Sequence, residues 1–93
     1  MDFVTVQFIS KPRKHHEFLL TIRSLVKLTR QEPGCTGLRF FHDAEDGMVS
    51  LLIGTWESPE DLHRYFQSEL FQVLLGTASL LRGDPEVRVN GFP

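Results

Sequence analysis

The stretch MVSLLIGTWESPED, Met48–Asp61, decides the fold because it contains one complete strand, a short turn and the start of a helix. Its apolar residues alternate onto both faces of the strand. They are Val49, Leu51 and Ile53 on one face, and Met48, Leu52 and Trp56 on the other. A strand that is apolar on both faces requires a covering layer on each. The sequence therefore predicts a central strand between two layers.

The turn at residues 57–61 predicts a well-defined helix start. Ser58 is suited to the N-cap, Pro59 to the first helical position, and the acidic pair that follows favours the positive end of the helix dipole. We expect one helix that continues to RGDP at 82–85, with a break near Ser68. Its predicted buried stripe consists of Leu62, Phe66, Leu70, Val73, Leu74 and Leu81.

The segments on either side supply the remaining elements. Phe3 to Ile9 alternates as a strand, and 11–30 predicts a helix up to EPG at 32–34. CTGLRFFHD at 35–43 predicts a strand that AEDG at 44–47 joins to the central strand as a hairpin. EVRVNGF at 86–92 alternates again. The apolar positions of the first helix are Phe18, Ile22, Leu25, Val26 and Thr29.

The order strand, helix, strand, strand, helix, strand predicts an α+β fold of the ferredoxin-like split βαβ type. Such a chain forms a four-stranded antiparallel sheet with both helices on one face. The other apolar face must then be covered from outside the chain. We therefore expect a homodimer in which two sheets pack face to face.

Composition limits the classes of function. The chain has 93 residues, which is one domain, 1–93, and its net charge of −2 gives no general attraction to nucleic acid. The N-terminal apolar run is too short to span a membrane, and it precedes the basic residues, unlike a secretory signal. Cys35 is the only cysteine, so no internal disulfide is expected. These features favour a cytoplasmic protein with no membrane or nucleic-acid partner.

Three segments together resemble the antibiotic biosynthesis monooxygenase (ABM) family of the dimeric α/β-barrel superfamily. They are EPGCTGLRFFHD at 32–43, TWES at 55–58 and PEDLHRYFQSELF at 59–71. The resemblance implies two sheets that close into a barrel, with a pocket in each protomer between sheet and helices. Several members oxidise quinols, hydroquinones or polyketide phenols with molecular oxygen and without metal or flavin, so no cofactor is expected.

The resemblance is incomplete at the helix that would carry the catalytic base. Leu62, Ser68 and Phe71 match the family pattern, but Tyr65 occupies the position of its usual histidine. A tyrosine hydroxyl, with a pKa of about 10, is a poor base at neutral pH. Tyr65 is therefore expected to orient a substrate or to donate a hydrogen bond. The haem-degrading branch fits poorly, because Leu75 stands where its axial histidine is expected.

The candidate site combines polar groups with aromatic walls. We expect Tyr65 and Gln7 to orient the substrate, and the predicted substrate-binding residues are Trp56, Phe66, His42 and His63. Each also has a structural interpretation: core or dimer-interface packing for Trp56, core packing for Phe66, and an internal hydrogen bond for Gln7 and His42. For Tyr65 and His63 it is exposure to solvent. No histidine, cysteine or carboxylate cluster has the spacing of a metal site, so none is expected.

Three functions remain open on these residues. The first is a cofactor-independent monooxygenase that acts on a small quinol or phenolic aromatic with molecular oxygen. The second is a non-catalytic dimer that binds or senses a small molecule in the same pocket. The third is a structural dimer whose pocket is filled by large side chains.

Overall fold

A computed structural model, which describes residues 2–93, has the predicted α+β architecture. The strands are β1 (Asp2–Ile9), β2 (Cys35–His42), β3 (Val49–Trp56) and β4 (Glu86–Val89), and the helices are α1 (His15–Thr29), α2 (Pro59–Phe66) and α3 (Glu69–Gly76). Short 3₁₀ turns precede α1 and follow α3. The four strands form one antiparallel sheet in the order β2-β3-β1-β4, which confirms the ferredoxin-like topology.

The strand register separates two faces of the sheet. Val6 pairs with Leu52, which in turn pairs with Phe40, and these residues face the helices. We call this side the helix face. Gln7, Leu51 and Phe41 form the adjacent row, and because side chains alternate along a strand they lie on the opposite side, the open face.

The core lies between the helix face and the three helices. Its members are buried and apolar: Val4, Val6, Phe8, Phe18, Ile22, Leu25, Val26, Leu38, Leu52, Trp56, Leu62, Tyr65, Phe71, Leu74 and Leu81. All five positions predicted to be buried on α1 are buried. On the open face, Val49, Leu51 and Ile53 are only half-buried, so β3 is apolar on both faces as predicted.

The second helical region contains two helices, α2 and α3, that meet at Gln67 and Ser68. The Ser58 hydroxyl accepts a hydrogen bond from the Asp61 amide, and Ser68 accepts one from the Phe71 amide in the same way. A second N-cap therefore starts a second helix, at the break predicted near Ser68. No helix among residues 2–93 is long and apolar enough to cross a membrane.

The buried stripe predicted across this region is partly wrong. Leu62, Leu74 and Leu81 are buried, but Tyr65 and Phe71 are buried where Phe66 and Leu70 were expected, and Val73 is 47% exposed. A single stripe with a period of 3.6 residues assumes one straight helix. A second helix starts at Ser68, so α2 and α3 do not share one continuous stripe.

Candidate functional site

Four rings form an aromatic cluster where the end of β3 meets α2 and α3. Its members are Trp56, Tyr65, Phe66 and Phe71. Trp56 and Tyr65 are stacked, with ring centroids 4.7 Å apart and planes 22° apart. Phe71 meets Tyr65 edge-on at 5.3 Å and Phe66 at 4.8 Å. Offset and edge-to-face arrangements of this kind are the favourable ones for aromatic rings.

Gly54 makes room for the indole ring of the cluster. It is two residues before Trp56 and on the same face of β3. A methyl group on Gly54 would lie 2.9 Å from Leu38 Cδ1 and 3.4 Å from Trp56 Nε1. Because real carbon contacts are longer than the first of these distances, any larger residue at position 54 would displace its neighbours. Gly54 therefore allows Leu38 and Trp56 to approach the backbone of β3.

The indole N–H of Trp56 is a buried hydrogen-bond donor without a partner among the described residues. The side chain itself has no exposed surface. A buried donor that forms no hydrogen bond costs about 1–3 kcal/mol, and such groups are rare in native structures. The donor lies above Gly54, where it is available to an acceptor that enters the site.

Tyr65 is the only cluster member that ionises, and it is held in its neutral form. Burial raises the pKa of its hydroxyl to about 12, and a hydrogen bond with the Thr29 side chain only partly offsets this rise. At neutral pH the hydroxyl is therefore protonated and acts as a donor. The nearby Cys35 thiol also has a raised pKa, mainly because of burial, so it is not an activated nucleophile.

A depression open to solvent lies at the edge of the sheet, near the cluster. This depression, the edge cavity, has a volume of about 390 Å³ and is lined by Arg30, Cys35, Thr36, Gly37, Leu38 and Arg39. Cys35 is the cross-strand partner of Trp56. Leu38 also contacts the space above Gly54. Its side chain therefore touches both the edge cavity and the region of the unpartnered indole N–H.

The family model described as antibiotic biosynthesis monooxygenase matches residues 1–75, which is most of the chain. The chain belongs to the antibiotic biosynthesis monooxygenase family. It is similar to a crystal structure of an antibiotic biosynthesis monooxygenase, with 29% identity, all of both chains covered and a TM-score of 0.86. These matches confirm the resemblance inferred from the sequence.

Two further proteins are similar to this chain, and the first of them, a solved structure, supports the fold. A structure from Mycobacterium tuberculosis has a TM-score of 0.87 at 19% identity, with 99% of this chain and 94% of that chain covered. An uncharacterised protein from Synechocystis sp. is 26% identical over 80 residues, which are 85% of this chain and 54% of the relative. The chain thus spans about half the length of that relative.

Within this ABM domain the predicted site residues do not all come together. Trp56, Tyr65 and Phe66 meet in the aromatic cluster. Gln7 lies on the open face, opposite Leu51 and Glu86, so the sheet separates it from Tyr65 of the same chain. There it borders a small depression of about 60 Å³. A shared role for Gln7 and Tyr65 on one small substrate is therefore not supported within a single chain.

The two predicted histidines also lie outside the cluster. His42 ends β2 opposite Ser50, whereas Cys35 begins β2 opposite Trp56, so roughly 20 Å of strand separates His42 from the cluster. His63 is exposed on α2. The cluster member not predicted as a site residue is Phe71, and the Ser68 cap three residues earlier was the signal that could have indicated it.

Proposed function

We propose that this ABM domain is a cofactor-independent monooxygenase that oxidises a small quinol or phenolic aromatic compound with molecular oxygen. The observation that carries the proposal is the unpartnered indole N–H of Trp56, stacked against a neutral Tyr65 and next to the edge cavity. Two hydrogen-bond donors in aromatic surroundings suit the oxygen atom of a phenol or phenolate.

The chemistry requires little from the side chains. The substrate supplies four electrons, one oxygen atom enters a ring carbon as a carbonyl group, and the other leaves as water. The protein must hold the ring near dioxygen and exclude bulk water. Trp56 Nε1 and the Tyr65 hydroxyl would stabilise negative charge on the substrate oxygen, which is the role of preorganised donors in a dry site.

Access to these donors would pass Leu38. This side chain is 5% exposed and lies between the edge cavity and the space above Gly54. A change of its rotamer would connect the two regions without moving the backbone of the sheet. We therefore assign the edge cavity as the place where the aromatic substrate first binds.

Oxygen uptake with a panel of hydroquinones and polycyclic phenols tests the proposal. Trp56→Phe and Tyr65→Phe each remove one donor and retain an aromatic ring, so each should lower kcat/KM by roughly tenfold to a hundredfold. Gln72→Ala, an exposed change on α3, is the matched control and should leave the rate unchanged. Uptake by the wild-type protein no faster than background with every compound would overturn the proposal.

A non-catalytic binding or sensing module is the second candidate, and the protonation state of the cluster favours it. The cluster contains no imidazole, and Tyr65, with its pKa raised to about 12, cannot take a substrate proton at pH 7. Native mass spectrometry of the purified protein distinguishes the two functions. An aromatic ligand that stays bound and unchanged under air supports the binding module, and turnover of that ligand excludes it.

A further inference from the structure

Two histidine rings meet at the end of the sheet opposite the aromatic cluster. His15 begins α1 and is half-buried, whereas His42 ends β2 and is exposed. Their ring centroids are 6.1 Å apart, with planes at 64°. The chain has four histidines, and the other two, His16 and His63, are also exposed. The proposed oxygenation uses none of them.

Ser10 holds the His15 ring in place. Its hydroxyl oxygen is 2.7 Å from His15 Nδ1 and 3.3 Å from the carbonyl oxygen of Met48. In the tautomer with the proton on Nδ1, this N–H donates to Ser10 Oγ, and the hydroxyl donates to the Met48 carbonyl. The lone pair of Nε2 is then free. A buried acceptor that fixes the protonated nitrogen is the usual second-shell partner of a metal-binding histidine.

The spacing of the rings suits one ion between them. With metal–nitrogen bonds of about 2.1 Å, each ring centroid lies about 3.2 Å from the ion, so two centroids can be at most about 6.4 Å apart. The observed 6.1 Å is within that limit. A tetrahedral N–metal–N angle requires the two ring centroids to be about 5.2 Å apart, so the rings must approach each other by about 1 Å. Rotation of the exposed His42 side chain can supply this approach.

We propose that His15 and His42 form a two-imidazole site for a borderline divalent transition-metal ion, of the class of Ni²⁺, Zn²⁺ or Cu²⁺. Water fills the remaining coordination positions, and Ser10 acts as the positioning residue. Among residues 2–93 no group of three or more histidine, cysteine or carboxylate side chains could hold a metal. The site is therefore open and exchangeable, and imidazole ligands favour these ions over Mg²⁺ or Ca²⁺.

Isothermal titration calorimetry with NiCl₂, on tag-free protein at pH 7.5, tests the site. We expect one ion per chain. His15→Gln and His42→Gln should each weaken binding by roughly tenfold or more, and Ser10→Ala should weaken it by a smaller factor. His16→Gln and His63→Gln are matched controls that should change the affinity less than twofold. Thermal melting without metal verifies that each variant folds.

Paramagnetic broadening of the histidine ring protons by Ni²⁺ gives a second readout that needs no variant. The His15 and His42 signals should broaden first, at substoichiometric metal. Equal loss of affinity in all four histidine variants would overturn the proposal, as would heat no greater than in the buffer blank. Loss of binding in Cys35→Ser with retention in His15→Gln would assign the ion to the thiol and would also overturn it.

Discussion

The two faces of the sheet carry similar apolar side chains but differ in how these are covered. On the helix face, Trp56 and Phe8 have no exposed surface, whereas on the open face Ile9 and Phe41 are 40% and 44% exposed. The helices supply the partner layer for one face, whereas on the other the C-terminal Gly91 and Phe92 contact only the Thr5 and Phe3 end of β1. The helix face should therefore determine the stability of the protomer, and the open face its association.

Truncation of the buried indole should have the largest effect. Trp56→Ala removes a completely buried ring and its stack with Tyr65, so the free energy of unfolding should fall by about 3–5 kcal/mol. The matched change on the open face, Phe41→Ala, should lower it by less than about 1 kcal/mol, measured by urea unfolding at a concentration where the protein is monomeric. Equal losses would contradict the distinction between the faces.

The pH dependence of stability should show how tightly the helix face encloses Tyr65. Its pKa is raised from 10.0 to about 12 in the folded chain, so the folded state holds this proton more tightly than the unfolded state does. The contribution of the Tyr65 proton to the free energy of unfolding is fully present below pH 10 and is lost as the pH rises through 12. It amounts to roughly 3 kcal/mol, and Tyr65→Phe should remove this part of the pH dependence.

Because Tyr65 is the only tyrosine, the ultraviolet absorbance of tyrosinate follows this one group. A titration midpoint near pH 10 in the folded protein would show that the hydroxyl is in contact with solvent. It would also remove the argument that Tyr65 remains a donor in the candidate site.

Addition of one methyl group at Gly54 should test how closely Leu38 and Trp56 approach the backbone of β3. Gly54→Ala places a carbon 2.9 Å from Leu38 Cδ1, so the free energy of unfolding should fall by about 1–3 kcal/mol. Gly47→Ala is the control, since nothing lies within 4 Å of the added carbon there. The fluorescence of Trp56, the only tryptophan, should also shift in Gly54→Ala because the methyl group approaches the indole. An unchanged midpoint and spectrum would mean that the site above Gly54 is not tightly packed.

The sequence predicted the elements better than it predicted the site, for physical reasons. Alternation along β3 and the Ser58 cap are local signals, and each was confirmed. Whether Tyr65 or Phe66 faces the core depends on how the short helix α2 is rotated about its own axis, and α2 ends before the cap at Ser68 starts α3. Consecutive side chains on a helix point 100° apart, which is enough to exchange a buried ring for a partly exposed one.

Contacts between distant segments were harder still to predict. His42 was predicted as a pocket residue, but its position opposite Ser50 places it beside His15, 27 residues earlier in the chain. Alternation correctly assigned Gln7 to the face away from Val6 and Phe8. It could not show that the aromatic rings would gather on the other face, because the packing of α2 against β3 determines that arrangement.

Substitutions on the open face should change the stability of the protomer least and its association most. A cavity of about 190 Å³ lies there between Arg39, Phe41 and Ile53, and the Arg39 guanidinium lies 5.8 Å from the centre of the Phe41 ring. We predict a homodimer formed through this face, since an exposed apolar patch on a small domain favours association. Phe41→Asp should raise the dimer dissociation constant at least tenfold, because it places a charge in an apolar interface.

Light scattering coupled to size-exclusion chromatography measures this change. Val73→Asp is the matched control, since Val73 is 47% exposed on α3, away from the open face, and should leave the mass unchanged. If the wild-type protein has the mass of one chain at micromolar concentration, the open face is not a self-association surface. If Val73→Asp separates the chains and Phe41→Asp does not, association takes place through the helices, and the assignment of roles to the two faces must be reversed.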